Sequence, residues 1–155
     1  MRHVALCLLI WTSLVGCVTS QKAPAFLAAP VPEISSARAV LYIYREHAEP
    51  TAWSSYLQID GREVASLNQQ GFTWVYVTPG NHEFKYGFPA LAGMPSVPFS
   101  HSFEGGKVYV FQMIGELTAM GRKYEAVSAV QTFEFEEAKN KMQQCCRFVA
   151  ARVKQ

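Results

Sequence analysis

Residues 39–44 are apolar at every position and run into Arg45, which predicts a central strand covered on both faces. The polar stretch 46–54 with its proline predicts a loop. Residues 56–60 and 63–67 flank Asp60-Gly61, the dipeptide that supplies left-handed backbone to a tight hairpin. After a turn at 68–71, the run 72–77 predicts another strand. Pro79-Gly80 marks the next turn, and 82–88 continues as a strand. The stretch 89–98 holds three prolines, one glycine and no charge, and predicts a loop. Residues 99–103 alternate aromatic and polar, as a half-buried strand does. Gly105-Gly106 turns the chain into 107–114, the longest expected strand. The mixed segment 115–123 reads as a connection and 124–131 as the last strand. Turn signals at this spacing predict a small antiparallel β-sandwich of about seven or eight strands. The residues expected inside are Leu41, Ile43, Leu57, Ile59, Val75, Val77, Tyr109 and Phe111.

From Thr132 onward the period changes. Ala138, Met142, Cys145, Val149 and Val153 recur at spacings of three and four, the stripe of an amphipathic helix over 133–153. Thr132 is the expected N-cap. Glu134, Glu136 and Glu137 precede Lys139, Lys141, Arg147, Arg152 and Lys154, an order that suits the helix dipole. The helix is expected to lie across a sheet or to cover an edge.

The N-terminus carries an address rather than a fold element. Met1, Arg2 and His3 are followed by an apolar run from Val4 to Val15, too short to span a bilayer and of the length of a signal-peptide core. Leu14-Val15-Gly16-Cys17 closes it and resembles the lipobox of bacterial lipoproteins. The resemblance implies cleavage after Gly16 and a diacylglyceryl thioether on Cys17. Two or three acyl chains anchor stably, whereas one alone holds reversibly. Removing residues 1–16 from 155 leaves 139. Val18, rather than Asp, follows Cys17, which favours the outer membrane where the enteric sorting rule holds. Residues 17–37 comprise the lipidated cysteine and a Pro-, Ser- and Ala-rich tether, expected to be extended and to hold the domain away from the bilayer. Phe26 and Leu27 within it read as an incidental apolar pair. Residues 38–155 form the folded domain.

Composition narrows the function. The chain is 50% hydrophobic and 17% charged with a net charge of +2, which excludes a disordered tail and offers no field to gather nucleic acid. No Gly-x-Ser-x-Gly, no phosphate-binding glycine loop and no Cys-x-x-Cys occurs. His47, His82 and His101 show no ligand spacing, so no metal or cofactor is expected. His82, next to the Pro-Gly turn, reads as a turn-stabilising hydrogen bonder. Cys145 and Cys146 are adjacent. Two free thiols, a vicinal disulfide at a helix break and an intermolecular bridge all remain open. The preferred reading buries Cys145 and leaves Cys146 partly exposed. The basic helix end could touch anionic lipid, although a solvated face is the simpler reading. Trp53 and Trp74 are candidates for glycan stacking. Leu91, Met94 and Val97 in the uncharged loop, with Cys146, are the candidate partner contacts; packing of that loop over the core is the competing reading.

The strand 39–45, the Ile59-Asp60-Gly61 hairpin, the 77–82 turn and the strand at 106–110 occur in an order that resembles a family of small bacterial lipoproteins defined by a domain of unknown function. The middle portion is also similar to PEGA-type surface domains. The resemblance covers roughly 38–131, rests on turn and strand residues, and implies fold rather than activity. The expectation is a non-enzymatic, lipid-anchored protein of the cell envelope, facing the periplasm and acting as a binding or structural accessory module. Its expected partners are the membrane through Cys17 and an envelope protein or a second copy, and no nucleic acid. The rival expectations are a periplasmic glycan- or small-ligand-binding protein and a hydrolase whose site is not visible in sequence.

Overall fold

The computed structural model describes residues 23–121 and 123–152. In chain order the elements are β1 (Ala39–Arg45), β2 (Ser55–Ile59), β3 (Arg62–Leu67), β4 (Gly71–Val77), β5 (Gly80–Gly87), β6 (Val97–Phe103), β7 (Val108–Met120), β8 (Lys123–Thr132), helix α1 (Phe135–Cys145) and β9 (Arg147–Phe148). They form two sheets, β8-β7-β1-β4-β9 and β3-β2-β5-β6. The mainly β, two-sheet architecture with a C-terminal helix is the one expected. One feature of the pairing differs: β1–β7 and β4–β9 are parallel, so the larger sheet is mixed.

The apolar run of β1 explains the layering. Leu41 and Ile43 point inward with Val75, Val77, Phe111 and Met113, against Leu57, Leu67, Phe84, Tyr86 and Phe103 of the smaller sheet. Val40, Tyr42 and Tyr44 point outward with Phe72, Trp74 and Val110, beneath Ala138 and Met142 of α1. A strand covered on both faces belongs at the centre, and β1 sits there. The outer face of the smaller sheet carries exposed Glu83, Lys85, Ser100 and Ser102 and is left to water. Of the residues expected inside, Ile59 and Tyr109 are only half-buried, at the rim of the core.

Register defines two ends. Arg45, Gly71 and Arg147 lie level at one. The loops 46–54, 68–70 and 88–96 also emerge there, and it is termed the Arg45 end. The Asp60-Gly61 turn, the 78–79 turn and the 104–107 turn lie at the other, the Asp60 end.

Four expectations are corrected. The segment 115–123 is not a connection, because β7 and β8 stay paired from Phe111↔Thr132 out to Met120↔Lys123. No second sheet covers this part, so neither face shows the alternation that marks a strand. The helix does not reach 153 and is not capped by Thr132, which ends β8; Glu134 occupies the N-cap position. At the other end Cys146 is already extended, and its successors bond to the free edge of β4. Arg147 N–H donates to Gln70 O at 2.9 Å and Val149 N–H to Phe72 O at 2.8 Å. Arg152 N–H then donates to Val64 O at 3.1 Å, so the segment closes the side of the sandwich between its sheets. Satisfying open-edge carbonyls outweighs a helical period in the side chains. Val149 consequently packs into the core between the sheets rather than along the helix stripe. Val153 lies outside the described residues.

The fourth correction concerns the tether. From Ala23 onward it is a strap laid along the outer face of the larger sheet, beside α1. Phe26, in a short 3-10 turn, stacks 5.1 Å from Phe72 and is no incidental residue, whereas Leu27 points to solvent. Trp74 Nε1–H donates to Pro30 O at 2.8 Å and Glu33 N–H to Tyr76 Oη at 2.9 Å. A Pro-rich segment has no ladder of its own, so its carbonyls are free to accept from the sheet. The signal segment 1–16 and Cys17 lie outside the described residues.

Candidate functional site

At the Asp60 end, three side chains stand in the order acid, imidazole, hydroxyl. The hairpin turn places Asp60 (φ 49°) and Gly61 (φ 77°) in the left-handed region, which presents the Asp60 carboxylate to the next turn. His82 Nδ1 lies 2.6 Å from Asp60 Oδ2. Its Nε2 lies 2.9 Å from Thr78 O and 3.2 Å from Thr78 Oγ1. Glu83 N–H donates to Asp60 Oδ1 at 3.0 Å. The Asp60 carboxylate takes a proton donor at Nδ1, and the Thr78 carbonyl favours the protonated ring, whose Nε2–H it can accept. The hydrogen bond from Asp60 holds the imidazole pKa above its ordinary value and, in return, the Asp60 pKa below its own. A general base needs a free lone pair on Nε2. Here that nitrogen is engaged by the Thr78 carbonyl and hydroxyl, and the arrangement works as a clamp between two turns, the role the sequence indicates for His82.

A second cluster lies on the flank where β8 stops at Thr132. On the side away from β1, the edge of β7 over 108–110 has no strand partner among the described residues beyond the bond from Phe133 N–H to Val110 O at 3.3 Å. An open cleft of about 770 Å³ results, with His101, Lys107, Tyr109, Phe133, Glu134 and Glu137 among its walls. His101 sits edge-on to Phe103, Tyr109 and Phe111, and its Nε2 is buried without a hydrogen-bond partner. Burial holds its pKa below the ordinary value, so the ring is a neutral member of an aromatic cluster. Lys107 is paired with Glu104 at 2.7 Å. Among the described residues, no three His, Cys, Asp or Glu side chains converge as metal ligands. A smaller pocket of about 230 Å³ lies between strap, sheet and helix, lined by Phe26, Tyr42, Phe72, Phe135 and Lys139.

The Arg45 end is built around a fully buried guanidinium. Arg45 Nη1 donates to Trp53 O at 2.6 Å and Leu67 O at 2.9 Å; Nη2 donates to Ala48 O at 2.6 Å and Pro50 O at 3.1 Å. One side chain thereby organises the whole 46–54 loop, and only a planar five-donor group can do this. The loop then crosses β7: Glu49 N–H donates to Gly115 O at 2.6 Å, and a Cβ at Gly115 would run into the Glu49 carbonyl. Sequence reading missed Arg45 as an organising residue. Its signal was a charge ending an otherwise apolar strand.

The candidate contact residues part company. Leu91 is 86% exposed on a short turn at the Arg45 end. Met94 and Val97 are half-buried, Met94 against the core between the sheets and Val97 paired with Tyr86 at the start of β6. Cys146 is not a partly exposed thiol. It is buried, its Sγ is bonded to that of Cys145, and its side chain packs under the helix with Met142, while Cys145 is the half-exposed member. Trp74 is buried beneath the strap and offers no stacking platform, while Trp53 is exposed at the Arg45 end.

Fold and sites together define a mainly β protein of two packed sheets with a helix and a strap on one face. No family model, no curated protein and no solved structure matches the chain. Among the described residues, no helix is long and apolar enough to cross a membrane.

Proposed function

We propose that the chain is a lipid-anchored protein of the bacterial envelope whose β domain is a non-catalytic binding or structural module, held at the outer membrane and facing the periplasm. The observation that carries this reading is Leu14-Val15-Gly16-Cys17 closing a short apolar run behind a basic start. The non-catalytic part is supported by the two histidine environments, one imidazole engaged on both sides by Asp60 and Thr78 and the other packed among aromatic rings with its pKa lowered by burial. Metabolic labelling with an alkynyl palmitate tests the anchor. Label is expected on the wild type and not on Cys17→Ala; an unlabelled wild type, or label that persists in the variant, refutes it.

A second reading, a periplasmic small-ligand-binding protein, draws on the cleft of about 770 Å³ beside the open β7 edge. Its test is thermal-shift screening of polar metabolites and glycans, repeated with Tyr109→Ala. A ligand that stabilises the wild type and not the variant supports it, and a flat screen counts against it.

A further inference from the structure

We infer that the Arg45 end of the sandwich seats against the bilayer, with the projecting part of β7 and β8 entering the lipid headgroup region. The inference rests on the reading of Cys17 as the anchor.

The strap sets the distance. Ala23 and Pro24 are held at the Arg45 end, where Arg147 Nη1 donates to Ala23 O at 2.9 Å and Phe148 N–H to Pro24 O at 2.9 Å. Only six steps of chain separate Cys17 from Ala23. Fully extended, six residues span at most about 20 Å. The anchor is therefore a short leash leaving from one end of the molecule, and the domain cannot stand tens of Å away.

The arm leaves from the same end. β7 runs parallel to β1 and continues past Gly115, where Glu49 closes the sandwich. Residues 116–120, paired with 123–127, project by roughly 17 Å at about 3.3 Å per residue. Leash and arm are thus of similar length, and an arm of that reach meets the surface to which the leash is tied. An isolated two-stranded ribbon is marginal in water and gains from a surface to lie in.

The chemistry of this end fits lipid. Among the described residues outside the strap, the exposed large apolar side chains are Trp53, Leu91, Leu117, Met120 and Val127, and all belong to the Arg45 end or its arm. Leu117 lies on one face of the ribbon, and Met120 and Val127 on the other. A protein partner covers one face, whereas a bilayer surrounds both. Trp53 adds a residue type that is at home at a membrane interface. The Asp60 end instead presents Asp60, Glu104 and Lys107.

The test uses the full processed protein in phosphatidylethanolamine–phosphatidylglycerol vesicles. An environment-sensitive fluorophore is placed at Met120→Cys and, as the far-end control, at Ser102→Cys. Intact-mass measurement reports acylation of the same samples. The expected result is acylated protein whose probe at 120 is blue-shifted and quenched by spin-labelled lipid severalfold more than the probe at 102. Acylated protein with equal quenching at the two positions overturns the seating and leaves the anchor standing. A blue shift at 120 without lipid quenching places the arm against protein and overturns it equally. Protein without the acyl mass overturns the anchor reading and, with it, the seating.

Discussion

Replacing Arg45 by Met keeps an unbranched apolar stem and removes the guanidinium, whose four carbonyl contacts hold the loop 46–54. Two opposing effects decide the outcome. The variant no longer desolvates a charge that Glu49 offsets only at a distance, which favours Met by several kcal/mol at most. Against this, the Leu67 and Ala48 carbonyls, buried and bonded at 2.9 and 2.6 Å, lose their charged donor. An unsatisfied buried acceptor costs about 1–3 kcal/mol, more when the lost donor was charged. Secondary donors soften the loss: Ser55 Oγ–H lies 3.4 Å from Leu67 O, and the Gln69 side-chain amide donates to Ala48 O. The carbonyls of Trp53 and Pro50 lie in part-buried contacts and can recover water. The loop also loses its frame, since Trp53 O and Pro50 O share the same guanidinium. We expect a net destabilisation of about 3 kcal/mol, near 10 °C in Tm for a domain of this size. Urea unfolding followed by tryptophan fluorescence measures it, with Arg45→Lys as comparison. One ammonium has three donors for four carbonyls, so Lys should recover only part of the loss. If Arg45→Met lies within about 0.5 kcal/mol of wild type, or above it, desolvation has won and the guanidinium does not hold this end together.

The remaining predictions address the outer layer and the clamp. Met142→Ala removes a fully buried side chain between α1 and the larger sheet and should cost about 2–5 kcal/mol by urea unfolding. Trp74→Phe deletes the bond to Pro30 O and should cost about 1 kcal/mol. It should also raise amide exchange in 24–36 more than in the larger sheet; uniform exchange would show that the strap does not open separately. The clamp makes stability depend on pH in two directions. His82 has its pKa raised, so its contribution is full below the ordinary histidine value of 6.5 and fades as pH rises through the folded value. Asp60 has its pKa lowered, so its contribution is full above 3.8 and fades as pH falls through the folded value. The stability gap between wild type and His82→Gln should therefore be widest between about pH 4 and 6.5 and narrow on both sides. A gap independent of pH would show that the cationic pair contributes nothing.

Features under short-range chemical control are legible in residue type alone. The aromatic and β-branched runs at 39–45, 72–77 and 107–114 placed the strands of the larger sheet, because burial on one or both faces is written directly into residue type. Asp60-Gly61 located its hairpin, since few residues tolerate two consecutive left-handed positions. The change of period after Thr132 located a helix. The resemblance of residues 14–17 to a lipobox, too, is legible only in the sequence. Tertiary structure decided whatever depended on open edges and uncovered faces. Residues 146–152 carry a helical stripe, yet they fold as an extended closure because the β4 edge offers carbonyls that no other described segment satisfies. Residues 24–36 have a linker's composition, yet they pack because Trp74 and Tyr76 present polar groups to accepting and donating backbone above the sheet. Residues 116–127 lack a strand's alternation, yet they pair because hydrogen bonding across a hairpin needs no covered face. Arg45 reads as the polar end of a strand, and only the closed loop shows that it is buried. Each of these turns on the hydrogen-bonding demand of backbone groups, and residue type records burial far better than it records which carbonyl lacks a partner.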